Sequence, residues 1–255
     1  MFDDLARPPL RAQALALALA PDGWRVEVLA VTGSTNAVVA DRARAGEPAG
    51  LVVVAEAPTA GRGRLDRSWV SPARAGLTLS VLVRPDLEPA HWPWLPLLTG
   101  LAVATALSER AQVDAILKWP NDVLVGDRKL CGVLAEVPVP GAAVLGIGLN
   151  VTTRADELPY GAATSLQLVG ASTLDRGTLL RAMLRALTAT LVDLQAGRHA
   201  YRERCGTLGR WVRLELPGGR AVEGEATAID DSGRLVVGGK SYGAGDVVHL
   251  RPAPG

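Results

Sequence analysis

Cysteine is almost absent. Cys131 and Cys205 are the chain's two cysteines among 255 residues, and neither has a second Cys or a His at metal-ligand spacing. That excludes a disulfide framework and a thiolate metal site, and predicts two free thiols in a reducing cytoplasm. Charge of one sign is also lacking: 27 basic residues against 26 acidic ones leave a net charge of +1. No chain-wide field would gather nucleic acid or an anionic membrane, so neither partner is expected, and any anion site must be local. Long apolar runs are missing too. Residues 12–20 are apolar but too short to span a bilayer, and Asp3 and Asp4 precede them where a signal segment would be basic. They are predicted to form a helix stopped by Pro21-Asp22-Gly23. No repeat or low-complexity tract is visible.

What remains is an ordinary globular composition, 48% hydrophobic and 21% charged, long enough to bury a substantial core. Residues 24–31 alternate like a strand, Ser34-Thr35-Asn36 offers N-cap side chains, and residues 37–45 read as the helix they open. Residues 51–55, 77–83, 129–137 and 143–151 read as strands, and 95–110 and 178–195 as long amphipathic helices. Between residues 56 and 76 Gly, Arg and Pro accumulate without a helical period, which marks a long functional loop. Near Gly206 the texture changes to short strands, 211–216, 221–229, 234–237 and 247–251, separated by Pro-Gly-Gly, Asp-Asp-Ser-Gly and Gly-Gly-Lys turns. The expected organisation is a domain over residues 1–205 and a small β-barrel over 206–255.

Two segments carry chemistry. In Gly61-Arg62-Gly63-Arg64-Leu65-Asp66-Arg67-Ser68-Trp69, glycines let backbone N–H groups approach an anion while guanidinium forks neutralise it, so a phosphate or carboxylate is the expected guest. Asp66 stands where a dinucleotide fingerprint needs its third glycine, and no Gly-Lys-Ser/Thr ending makes a P-loop. Taken alone, the segment also fits a solvated basic loop. The second segment, Lys118-Trp119-Pro120-Asn121-Asp122, is followed by Lys129-Leu130-Cys131-Gly132. Lysine supplies charge, Asn121 both donates and accepts, and Asp122 suits a magnesium ion or a proton. Taken alone, it also fits a tight turn.

Together with Ser34-Thr35-Asn36, Ser71-Pro72 and Gly146-Ile147-Gly148-Leu149-Asn150-Val151, these segments resemble the biotin–protein ligases, the bacterial single-function members above all, from Trp24 to the C-terminus. The resemblance implies an α+β fold: a mixed β-sheet flanked by helices, like class II aminoacyl-tRNA synthetases, with a small C-terminal SH3-like β-barrel. It implies that biotin and ATP react through biotinyl-5'-AMP, with Mg2+, and that biotin then passes to a lysine of a biotin carboxyl carrier domain of acyl-CoA carboxylases. Ser34, Thr35 and Asn36 would meet the ureido end of biotin. Thr59, Gly61, Arg62, Gly63, Arg64, Lys129 and Gly132 would complete the biotin site, and Arg64, Arg67, Trp69, Asn121 and Asn150 the nucleotide site. Arg64, Lys118, Asp122 and Lys129 would be catalytic, with Asp122 toward the metal.

The chain departs from the family in two places. Pro58 replaces the usual Gln and stiffens the loop's entry. Asp66 replaces a frequent Gly, and its charge is expected to pair with Arg64 or Arg67 in the empty enzyme. A lipoate ligase would share the fold but needs an arginine-rich turn leading into a glycine run and His-Asp, which is lacking. The two dozen or so residues before Trp24 are too few for a helix-turn-helix repressor unit. The oligomeric state is not legible in the sequence.

Overall fold

The computed structural model describes residues 7–65, 67–159 and 161–250. In chain order the elements are α1 (Ala12–Leu19), β1 (Arg25–Thr32), α2 (Thr35–Arg44), β2 (Leu51–Pro58), β3 (Gly61–Arg62), β4 (Ser68–Trp69), β5 (Gly76–Val83), α3 (Trp94–Ala111), β6 (Ile116–Lys118), β7 (Asp122–Val125), β8 (Arg128–Val139), β9 (Ala142–Asn150), α4 (Arg176–Val192) and α5 (Leu194–Arg204). Five short strands follow: β10 (Trp211–Glu215), β11 (Ala221–Ile229), β12 (Leu235–Val237), β13 (Lys240–Tyr242) and β14 (Asp246–His249).

Seven strands form one sheet in the order β1-β2-β5-β9-β8-β7-β6. β1 and β2 run parallel, joined by the α2 crossover, and the other neighbours are antiparallel. β2, β5 and β9 are nearly unbroken apolar runs because both faces of the sheet are covered. Side-chain alternation separates the faces. Leu77, Leu79 and Val81 of β5 and Leu145, Ile147 and Leu149 of β9 join the main core with α3 and α4. On the opposite face Leu82, Ala142 and Val144 pack on Val39, Ala40 and Ala43 of α2, which covers one end of it. The uncovered remainder of that face becomes the floor of the site.

The mixed sheet with helices on both faces is the expected fold. One predicted helix differs: 178–195 breaks at Asp193, whose carboxylate accepts the Ala196 N–H at 2.9 Å and opens α5. α5 was not foreseen because Gly197 weakens a helical pattern. The position is tight, since a Cβ would lie 3.0 Å from the Thr190 side chain and 3.1 Å from that of Leu98.

The C-terminal strands make a five-stranded antiparallel sheet, β13-β12-β11-β10-β14. β13 was missed because three residues after Gly238-Gly239 give no periodic signal. The sheet's inner side chains, among them Val212, Leu214, Leu235 and Val247, merge with the main core. Two buried indoles fasten its 230–233 turn to the large sheet's side: Trp94 Nε1 donates to Asp231 O at 2.9 Å, and Trp119 Nε1 to Gly233 O at 3.1 Å. Cys131 and Cys205 are free and buried, as expected, and burial pushes the Cys131 thiol up to about 12. Among the described residues no helix is long and apolar enough to cross a membrane.

Where β2 and β5 leave the core, Glu56 and Arg176 form a buried ion pair at 2.6 Å. Arg176 also donates to Pro8 O and Gly76 O, and Glu56 accepts the Leu10 N–H. Removing one partner would strand a buried charge. Arg176→Met is therefore expected to lower stability by about 3–5 kcal/mol, read as a shifted urea midpoint at constant slope. A loss below about 1 kcal/mol would mean that water reaches Glu56.

Candidate active site

The site is built on strands stripped of side chains. In the sheet register Gly146 of β9 lies between Ser80 of β5 and Leu134 of β8, and Gly148 lies between Thr78 and Gly132. Two side chains from outside the sheet occupy the space left. A Cβ on Gly146 would sit 2.2 Å from Asn36 Oδ1, and one on Gly148 would sit 2.4 Å from the Trp69 ring. Around them opens a cavity of about 310 Å³, lined by the start of α2, the β3–β4 hairpin, the β6–β7 turn, β8 and β14. That is the size of a small-molecule pocket.

At one end Ser34 caps α2 with extended backbone, its Oγ accepting the Ala37 N–H at 3.4 Å. Thr35 and Asn36 follow, both only 4% exposed yet reaching the cavity. At the other end the arginine loop folds over as a hairpin, Gly61 pairing with Trp69 and Arg62 with Ser68. Gly61 is needed where the two strands touch, since a Cβ there would meet the Trp69 carbonyl at 2.4 Å. Arg64 donates to Asn121 Oδ1 at 3.4 Å and to Gly245 O at 3.3 Å. Across from it Lys129 pairs with Asp122 at 2.6 Å, with its Nζ 6.0 Å from the Trp69 ring centroid. Asn121 is held by a reciprocal pair of bonds with Val133: its Nδ2 donates to Val133 O at 2.8 Å, and its backbone O accepts the Val133 N–H at 2.9 Å. Since Asn121 and Asp122 are neighbours, Arg64 and Lys129 converge on one place.

Electrostatics mark the same spot. Burial, reinforced by Lys129 and Arg67 and opposed by Asp122 and Asp246, holds the Lys118 ammonium below the usual lysine value. Burial likewise lowers Arg64, against Asp246 and Asp122. Cations taken from water and crowded together favour an anion that restores their solvation. Trp69 is half-buried, and its Nε1 has no hydrogen-bond partner among the described residues.

Ser34, Thr35, Asn36, Gly61, Arg62, Gly63, Arg64, Arg67, Trp69, Lys118, Asn121, Asp122, Lys129 and Gly132 all line this cavity. Two expected residues do not. Thr59 is exposed and bonds back to Thr32 O at 3.3 Å. Asn150 is buried, its amide spent on Thr164 O at 2.9 Å, which ties the end of β9 to a loop. Asp66 lies outside the described residues, so its expected pairing with Arg64 or Arg67 is not described. Asp246 of β14 was not foreseen. It pairs with Arg67 and stands 3.8 Å from Arg64. A contact across 179 residues leaves no local trace in the sequence.

A Biotin/lipoate A/B protein ligase family model matches residues 28–151, and a Biotin protein ligase C terminal domain model matches residues 207–250. The chain belongs to the biotin–protein ligases. Among its relatives, the biotin–[acetyl-CoA-carboxylase] ligase of Mycobacterium tuberculosis is 46% identical over 97% of this chain and 98% of that one. The bifunctional ligase/repressor BirA of Escherichia coli is 36% identical over 85% of this chain and 70% of its own length. Among solved structures, the Aquifex aeolicus biotin protein ligase in complex with biotin and ATP has a TM-score of 0.76 at 29% identity, covering 89% of this chain and 99% of that one. The Leishmania major enzyme in complex with biotinyl-5-AMP has a TM-score of 0.63 at 27% identity, with 89% and 98% covered.

Asp246 is the carboxylate that the last strand presents to the arginine loop. Asp246→Asn is expected to free the loop, so that trypsin cleaves within residues 61–67 several-fold faster in the ligand-free protein. Unchanged cleavage would mean that the backbone hairpin alone holds it.

Proposed function

We propose that this chain activates biotin with ATP, forming biotinyl-5'-AMP and pyrophosphate, and then transfers the biotinyl group to a lysine of a biotin carboxyl carrier domain of an acyl-CoA carboxylase. The observation that carries this reading is the convergence of Arg64 and Lys129 beside Asn121-Asp122, at the far end of a cavity whose other end offers hydroxyls and an amide.

In the first step a biotin carboxylate oxygen attacks the α-phosphorus of ATP, and the bond to pyrophosphate breaks. Negative charge gathers on one phosphorus, so catalysis is mostly positioning and charge stabilisation. Lys129 meets the carboxylate and the phosphate it attacks. Arg64, with Arg67 beside it, neutralises the adenylate phosphate, and Lys118 adds charge from the β6–β7 turn. Gly61, Arg62 and Gly63 close over the acyl chain beside Gly132, Trp69 packs on adenine, and Asn121 lies beside the phosphates. A magnesium ion commonly binds through one or two protein carboxylates plus substrate phosphates. Asp122 fits that part as a single carboxylate, and among the described residues no cluster of three or more acidic, His or Cys ligands is present. Such an ion would withdraw charge from the departing phosphates.

In the second step the carrier lysine's amine attacks the acyl carbon, the C–O bond to AMP breaks, and the amine's proton must leave. An ordinary lysine, with a pKa of about 10.4, needs help to give it up, and Asp122 is the group that would accept or orient it. A closed loop keeps water from the anhydride meanwhile. Free buried thiols suit a cytoplasmic setting. The C-terminal match over residues 207–250 suits a division into residues 1–205 and 206–255.

Pyrophosphate release that requires both biotin and ATP, followed by labelling of a carrier domain, tests the reading; release with lipoate instead would assign a lipoate ligase. Arg64→Gly is expected to speed escape of biotinyl-AMP by roughly 10–100-fold, the weight of a charge-assisted contact, and unchanged release kinetics would remove Arg64 from the phosphate. Asp122→Asn is expected to slow transfer of preformed biotinyl-AMP. If it slowed adenylation alone, Asp122 would serve the metal and not the proton.

A further inference from the structure

Behind the cavity wall lies a continuous chain of hydrogen bonds whose polarity can be worked out from chemistry alone. Ser80 of β5 is fully buried. Its Oγ lies 2.5 Å from Asn36 Oδ1 and 2.7 Å from Thr35 Oγ1. The Asn36 amide is oriented from its other side: Nδ2 donates to Glu136 Oε2 at 2.7 Å and to Leu134 O at 3.3 Å. Turning the amide over would press its oxygen against a carboxylate and a carbonyl, so Oδ1 must face Ser80. Gly146 leaves room for that oxygen. Glu136 is in turn held by Arg62 of the arginine loop at 3.0 Å.

The remaining bonds follow by counting protons. An amide oxygen only accepts, so Ser80 spends its single proton on Asn36 Oδ1. The 2.7 Å contact between the two hydroxyls then has one donor left, Thr35. Thr35 therefore turns its proton away from the cavity and presents lone pairs to it. Ser34 is the reverse case. Its Oγ already accepts the Ala37 N–H, so its proton is free to be given outward.

We propose that Glu136, Asn36 and Ser80 form a polarity-setting relay that makes Thr35 an obligate acceptor beside the donor Ser34, so that the site selects a ring presenting an N–H next to a carbonyl. Ser80 and Glu136 are positioning residues: they act through Thr35 and Asn36 and do not touch the ligand. The inference rests on the biotin reading above and deepens it, since a cyclic urea offers that pair of groups and a dithiolane ring offers neither. A wrongly polarised hydroxyl facing a ligand N–H would leave both groups unpaired in a closed site, where the penalty is largest.

The test is equilibrium binding to the full chain, without ATP, of biotin and of a ketone analogue in which both ring N–H groups are CH2. Ser80→Ala and Glu136→Met are compared with the parent protein; the second changes a half-buried surface residue, so the fold is kept even if the first disturbs it. Both variants are expected to shrink the preference for biotin over the ketone about tenfold, the weight of one hydrogen bond; release of Arg62 in Glu136→Met acts on both ligands alike and leaves that ratio unchanged. Equal weakening of both ligands, or of neither, would overturn the relay while leaving the biotin reading intact. Failure of the parent protein to bind biotin at all would overturn both.

Discussion

A ligand can lie against the middle of a buried sheet only where the strands beneath it have no side chains, and the rest of this structure follows from that constraint. Gly146 and Gly148 leave two places open on β9, and Gly132 extends the second on β8. The openings are filled from outside the sheet by Asn36 and Trp69, whose contacts with the bare backbone are too close for a Cβ. Every other element is arranged so that these visitors arrive. α2 begins where Asn36 can reach down, and the β3–β4 hairpin ends where Trp69 can. The opposite face carries Leu145, Ile147 and Leu149 into the core with α3 and α4, so the sheet gains its stability on the side away from the chemistry.

Charge is organised on the same plan. Three cations near the cavity have a protein anion as companion: Arg62 with Glu136, Arg67 with Asp246, and Lys129 with Asp122. Arg64 is shared among Asn121, Gly245 and, at longer range, Asp246. These pairs offset part of the mutual repulsion that Lys129 and Arg67 impose on Lys118.

Much of this was legible in the sequence, for definite reasons. Strands buried on both faces announce themselves as unbroken apolar runs, so β2, β5 and β9 were found within a few residues of their ends. Local motifs carried the site: the hydroxyl cap at Ser34, the glycine–arginine loop and the Lys118 to Asp122 turn all line the cavity. Interactions between distant segments were not legible. Asp246 reaches the arginine loop from the last strand, and Ser80 lies inside a strand that reads simply as core. Thr59 and Asn150 are the opposite case. Each belongs to a segment that reaches the site, yet its own side chain is spent on a neighbouring carbonyl. Sequence proximity selects the segment, but the direction of a side chain is decided by register and by which backbone group needs a partner.

The position of Asp246 on the smaller sheet has one more consequence. Asp246 pairs with Arg67 and stands 3.8 Å from Arg64, so the arginine loop is tied by charge to the C-terminal strands. A stretch that resembles mere packaging thus supplies part of the cavity's wall, and a change in the last strand would be felt at an arginine 179 residues away.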